Sequence, residues 1–163
     1  MNLKPLLIAL LLCAHPVYGQ DNTQFAYWGD YSGSLPPEYA WDYRVTFLEN
    51  RQAEVRYCKG YSNDAPGCAT AKFRLSKRKF AQLMAALTPL EAELNANPAQ
   101  DDPDPPIGGG AVYGKLTMNG NDVPLYAFSI GDSAARVAEV LDLLRQFTPQ
   151  SAINSAKNKA KQP

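Results

Sequence analysis

The chain has 163 residues, with 16 Lys and Arg against 16 Asp and Glu and a single histidine. So even a balance offers no broad field of either sign and argues against a nucleic-acid partner. The length suits one domain with one adequate core.

Taken in chain order, the first element is a leader. Lys4 supplies a short positive start, Leu6 to Leu12 form an apolar run, and Val17 and Gly19 occupy the −3 and −1 positions of a signal-peptidase site. Residues 1–19 are therefore predicted to be a signal peptide cleaved near Gly19, leaving a protein of the periplasm or the extracellular medium. Cys13 is preceded by Leu12 rather than by a small residue, which argues against a lipid anchor. No later apolar run approaches the ~20 residues of a membrane-spanning helix, so the chain is expected not to span a membrane.

Residues 20–42 read as an aromatic-rich arm, with Phe25, Tyr27, Trp28, Tyr31, Tyr39 and Trp41 interrupted by Gly29, Gly33 and Pro36-Pro37. Rings packed over a sheet edge are the preferred reading of this irregular stretch. A single α+β domain is expected over 43–149. Tyr43, Val45 and Phe47 alternate with polar residues, Glu49-Asn50-Arg51 offers a turn, and Ala53, Val55 and Tyr57 resume the alternation, which predicts a hairpin. Alternation from Cys68 to Leu75 predicts a third strand. Cys58 and Cys68 are the pair left once the leader is removed, and in an oxidising compartment they are expected to form a disulfide between the second and third of these strands. Their spacing does not match the Cys-x-x-Cys of a redox dithiol.

Ser76 is a predicted N-cap for a helix over about 77–87, with Phe80, Leu83, Met84 and Leu87 at helical spacing. Thr88, Pro89 and Glu91 predict a fresh start, as cap, first helical residue and capping-box partner, for a kink or second short helix up to Asn95. Residues 100–110, rich in Asp, Pro and Gly, predict a mobile surface loop. Val112 to Met118 and Val123 to Ile130 flank Asn119-Gly120, a strong hairpin signal. Asp132 or Ser133 is expected to cap a last helix carrying Val137, Val140, Leu141, Leu144 and Phe147, ended by Thr148-Pro149. Residues 150–163, with Lys157, Lys159 and Lys161, read as a flexible basic tail. The fold class is thus α+β: an antiparallel sheet of about five strands with two main helices on one face, in the order βββ-α-ββ-α, and one disulfide.

The only histidine, His15, lies in the predicted leader, so nucleophile activation by imidazole and most catalytic zinc sites are not expected. Three motif echoes have simpler readings. Ser76 to Lys79 matches Ser-x-x-Lys, but the partner motifs of penicillin-recognising enzymes are missing. Gly109 to Lys115 matches a P-loop up to its lysine, where Leu116 then replaces the magnesium-binding hydroxyl and a strand is predicted in place of a helix. Asp101, Asp102 and Asp104 offer carboxylates for calcium or for a glycosidase pair, yet prolines interrupt them and a flexible loop positions them poorly.

No catalytic residue, metal ligand or cofactor is expected. The favoured function is an exported, non-catalytic protein-binding module: an inhibitor or immunity protein whose partner is an exported hydrolase or toxin. The disulfide-closed loop would present Tyr61, Ser62, Asn63 and Asp64 to a partner's cleft at low entropic cost. The acidic loop of Asp101, Asp102 and Asp104 would complement a basic partner. The alternatives are an accessory subunit of a cell-envelope assembly, using the aromatic arm, and a small histidine-free, carboxylate-dependent glycan hydrolase.

Overall fold

The computed structural model describes residues 23–160, so the predicted leader, including Cys13 and His15, lies outside the described residues, as does the last stretch of the tail. Strands β1 (Gln24–Tyr31), β2 (Trp41–Leu48), β3 (Gln52–Lys59) and β4 (Cys68–Arg74) precede helix α1 (Lys77–Ala96). Strands β5 (Gln100–Asp101), β6 (Ala111–Met118), β7 (Asn121–Leu125) and β8 (Ser129–Ile130) follow. Helices α2 (Ala134–Gln146) and α3 (Gln150–Lys159) close the chain. The main sheet is antiparallel, with the order β4-β3-β2-β1-β6-β7, and β5 pairs with β8 in a separate two-stranded ribbon.

The expected hairpins are present. Val45 faces Val55, Phe47 faces Ala53 and Val55 faces Ala71, so the alternation in sequence becomes continuous apolar rows across β2, β3 and β4. Asn119 and Gly120 have φ of 52° and 79°, the paired positive values that a two-residue turn between β6 and β7 demands. The Cys58–Cys68 disulfide joins directly opposed residues of β3 and β4.

The strand expected over Val123 to Ile130 is broken at 126–128 into β7 and β8, and the start of the expected 100–110 loop is β5, paired with β8. Four further expectations require correction. The segment read as an irregular arm contains β1, which lies between β2 and β6 and unites the two hairpin systems. Ala26, Trp28 and Asp30 point to the helices, while Tyr27, Gly29 and Tyr31 point away, opposite their partners in β2 and β6. A register shift between Gln24 and Ala26 accompanies burial of both Phe25 and Ala26. This sixth strand takes the sheet beyond the expected five.

Helix α1 runs through Thr88 and Pro89 without restarting. Thr88 donates its hydroxyl to the Met84 carbonyl at 2.8 Å instead of capping a new helix. An interior proline costs about 3 kcal/mol, but Leu83, Leu87, Leu90 and Leu94 form one buried stripe across it, and that burial holds both halves in line.

The expected side-chain cap of α2 is also missing. Ser133 stands at the N-cap position, but its hydroxyl donates to the Asn97 carbonyl at 2.6 Å and so ties the start of α2 to the end of α1. The tail beyond Pro149, finally, forms α3, whose Ala152, Ile153 and Ala156 are buried over β3 and β4. The order among the described residues is therefore four strands, a helix, four strands and two helices.

All three helices contribute to one core on the same face of the sheet, built around Trp28, Phe47, Val55, Leu83, Leu116 and Leu144. Among the described residues the other face carries no helix. Among the described residues no helix is long and apolar enough to cross a membrane.

Candidate functional site

Antiparallel pairing brings three connections to one end of the sheet: 32–40 between β1 and β2, 60–67 between β3 and β4, and 102–110 before β6. The first is shaped by its prolines and by Ser32. The Ser32 backbone N–H donates to the Trp41 carbonyl and its hydroxyl accepts from the Trp41 N–H, both at 2.9 Å, while Pro36 O accepts from Tyr39 and Ala40. Leu35 and Tyr39 are left pointing outward.

The disulfide loop is held by its own backbone. Lys59 N–H donates to Gly67 O, Ser62 N–H to Lys59 O and Cys68 N–H to Asp64 O. The Arg56 guanidinium grips the Asn63 carbonyl from the sheet. Gly67 admits no side chain, since a Cβ there would stand 2.1 Å from Ser62 Oγ. Neighbouring connections then lock together. Gly60 N–H donates to Ala40 O at 2.8 Å, and the Tyr61 hydroxyl donates to Leu35 O at 2.5 Å. On the other side Gly33 abuts the Gly109 carbonyl so closely that a Cβ would collide with it.

Of the residues singled out in sequence, Tyr61, Asn63 and Asp64 are exposed and Ser62 is half-buried. Asp101 is held in β5 opposite Ser129, whereas Asp102 accepts the Asp104 backbone N–H at 3.0 Å and donates its own N–H to Phe128 O. The disulfide loop and the acidic loop thus stand at the same end of the sheet, each touching the 32–40 connection between them. Leu35, Tyr39 and Ile107 complete this rim; Tyr39 was read from sequence only as part of the aromatic arm, and Leu35 and Ile107 were not singled out. Proline and glycine around them signal loops, but they carry no signal of which loop side chains remain uncovered.

The three carboxylates of the acidic loop are not arranged as a metal site. Among the described residues no group of three His, Cys, Asp or Glu side chains is placed to hold a metal ion. The other echoes have structural explanations. Ser76 Oγ accepts the Lys79 backbone N–H at 3.2 Å as an ordinary helix cap. Lys115 lies in β6 and pairs with Asp122 at 2.9 Å. A cleft of about 660 Å³ between the end of α1 and the start of α2 contains Arg136, but Glu93 and Glu139 already engage that guanidinium at 2.8 and 2.7 Å.

The helix-free face holds a second group of side chains. Tyr113 of β6 lies opposite Gly29 and reaches across it, so that a Cβ at Gly29 would stand 2.8 Å from Tyr113 Cζ. Tyr27 and Tyr31 flank that ring at centroid distances of 6.4 and 6.3 Å, inclined to it by 75° and 61°. The Arg44 guanidinium sits 4.4 Å from the Tyr27 ring centroid. Farther along, burial raises the Asp42 carboxyl above its ordinary range, opposed by Arg56 and Arg44. The alternation of Tyr27, Gly29 and Tyr31 with Ala26, Trp28 and Asp30 is the sequence signal for this face.

No protein-family model matches the chain, and a search of curated proteins finds no match.

Proposed function

We propose that the protein is an exported, non-catalytic binding module that docks a basic exported hydrolase or toxin at the rim, acting as its inhibitor or immunity protein. One observation carries this reading. Of the five large hydrophobic side chains that are exposed among the described residues, Leu35, Tyr39, Tyr61 and Ile107 all lie on the three connections at one end of the sheet. Their exposures of 42%, 67%, 64% and 104% leave much of this apolar surface to water. Aromatic anchors in a clustered patch are the usual energetic centre of a protein interface.

Charge selects the partner class. Glu38, Asp64 and Asp104 are exposed around the apolar group, with Lys59 as a nearby counter-charge, so a basic surface would be steered to it. Hydrogen bonding among the connections makes the rim pre-organised, which reduces the ordering cost of association.

The test is affinity capture of the tagged protein from the envelope and culture fluid of its host, followed by titration calorimetry with the captured protein. A stoichiometric basic hydrolase or toxin that loses activity on binding, and that binds Tyr61→Ala at least about tenfold more weakly, is the expected result. Capture of several envelope components with no hydrolase or toxin would overturn this reading in favour of an assembly subunit.

A further inference from the structure

Between the helix-free face and the β5–β8 ribbon lies a pocket of about 390 Å³. Its lining includes Tyr27, Tyr31, Tyr113, Tyr126, Phe128 and Asp101. Tyr113 forms a floor supported by Gly29, and Tyr27 and Tyr31 rise beside it at steep angles. A glycine inside a strand weakens the strand, and it is retained where another group must approach closely. Here the group is the Tyr113 ring.

The four tyrosine hydroxyls at this pocket make no hydrogen bond to any group among the described residues. That differs from Tyr43 and Tyr61, whose hydroxyls donate to Asp30 and to Leu35 O. Several free hydroxyls, one carboxylate and an aromatic floor therefore meet in one concavity, the mixed apolar and polar lining of a small-ligand site.

We propose that this trough binds a neutral oligosaccharide. A pyranose ring has an apolar C–H face, which suits the electron-rich face of Tyr113. It also carries equatorial hydroxyls that both donate and accept, matching the tyrosine hydroxyls and the Asp101 carboxylate. A proline-rich peptide would fit the aromatic surface but has few N–H donors for Asp101. A quaternary ammonium would suit an aromatic cage, but the Arg44 guanidinium already lies against Tyr27 and repels a second cation. The inference is independent of protein docking at the rim.

Titration of the isotope-labelled protein with chitotetraose, cellotetraose and maltotetraose, followed by amide chemical shifts, tests it. At least one sugar should give saturable shifts centred on Tyr27, Tyr31, Tyr113 and Asp101 at millimolar concentration or below. Tyr113→Ala should weaken that binding by about tenfold or more, Tyr113→Phe should largely preserve it, and Tyr61→Ala should leave it unchanged. If Tyr113→Ala fails to fold, Tyr31→Ala serves in its place and should weaken binding several-fold. Absence of shifts with all three sugars, binding unaffected by loss of the floor ring, or equal shifts with decaproline would each overturn the proposal.

Discussion

Trp28 Nε1 donates to Thr148 Oγ1 at 3.0 Å in the buried core, fastening β1 to the junction of α2 and α3. Thr148 in turn donates to the Leu144 carbonyl at 2.9 Å, so its one hydroxyl serves both the strand and the helix end. Thr148→Val keeps the volume but leaves the indole N–H unpaired, and it should cost about 1–3 kcal/mol in urea unfolding. Adding Trp28→Phe should cost less in that background than in the native one, because no unpaired donor then remains. Equal costs in both backgrounds would show that the bond contributes nothing.

Removing the disulfide by replacing Cys58 and Cys68 together with alanine should lower stability by roughly 3 kcal/mol, as expected for release of a short loop in the unfolded chain. Both positions face each other across β3 and β4. Urea unfolding of the oxidised protein and the double variant makes the comparison, and equal midpoints would exclude a stabilising role.

Helix α3 is part of the core. Ile153 is only 8% exposed, so Ile153→Ala should cost about 2 kcal/mol, whereas exposed Lys157→Ala should stay within about 0.5 kcal/mol. Thermal or urea unfolding separates the two, and an inert Ile153→Ala would mean that α3 is not docked in solution.

Much of this architecture was legible because period-two alternation is strong where one sheet face is buried, as in β2, β3 and β4. Strand β1 was obscured because its outward residues are also aromatic: Tyr27 and Tyr31 stand where polar residues would have revealed the period. Helix α3 was obscured for the opposite reason. Its buried stripe is mostly alanine, too weakly apolar to stand out beside Lys157 and Lys159. The disulfide and the Asn119-Gly120 turn were readable from local chemistry, whereas the rim depends on which strand ends share one side of the sheet. No local pattern encodes that adjacency.

The helix-covered face contains an acid that holds its proton more tightly than an ordinary carboxyl. Burial raises the Asp30 carboxyl above its ordinary 3.8, against the opposing effects of Arg145, the Tyr31 backbone N–H and the Tyr43 hydroxyl. Tyr43 is itself pushed up to about 12, first by burial and then by Asp30. A raised carboxyl binds its proton more tightly folded than unfolded, so its contribution to stability falls as pH rises between the unfolded and folded values. Asp30→Asn should therefore raise the melting temperature at neutral pH, and the gain should shrink as pH falls through the raised carboxyl value and be gone below the ordinary 3.8. A lower melting temperature at neutral pH would show that the ionised form is favoured instead.

The position of β1 also sets the order in which the fold can be completed. Its edge toward β2 can pair early, but its other edge waits for Ala111–Met118, synthesised long afterwards. Contacts this distant along the chain slow folding, and an unpaired strand edge invites association with other chains. Pulse-labelling hydrogen exchange during refolding should protect β2, β3 and β4 before β6. A cell making this protein must therefore keep a half-built sheet from its neighbours until the second hairpin arrives to close it.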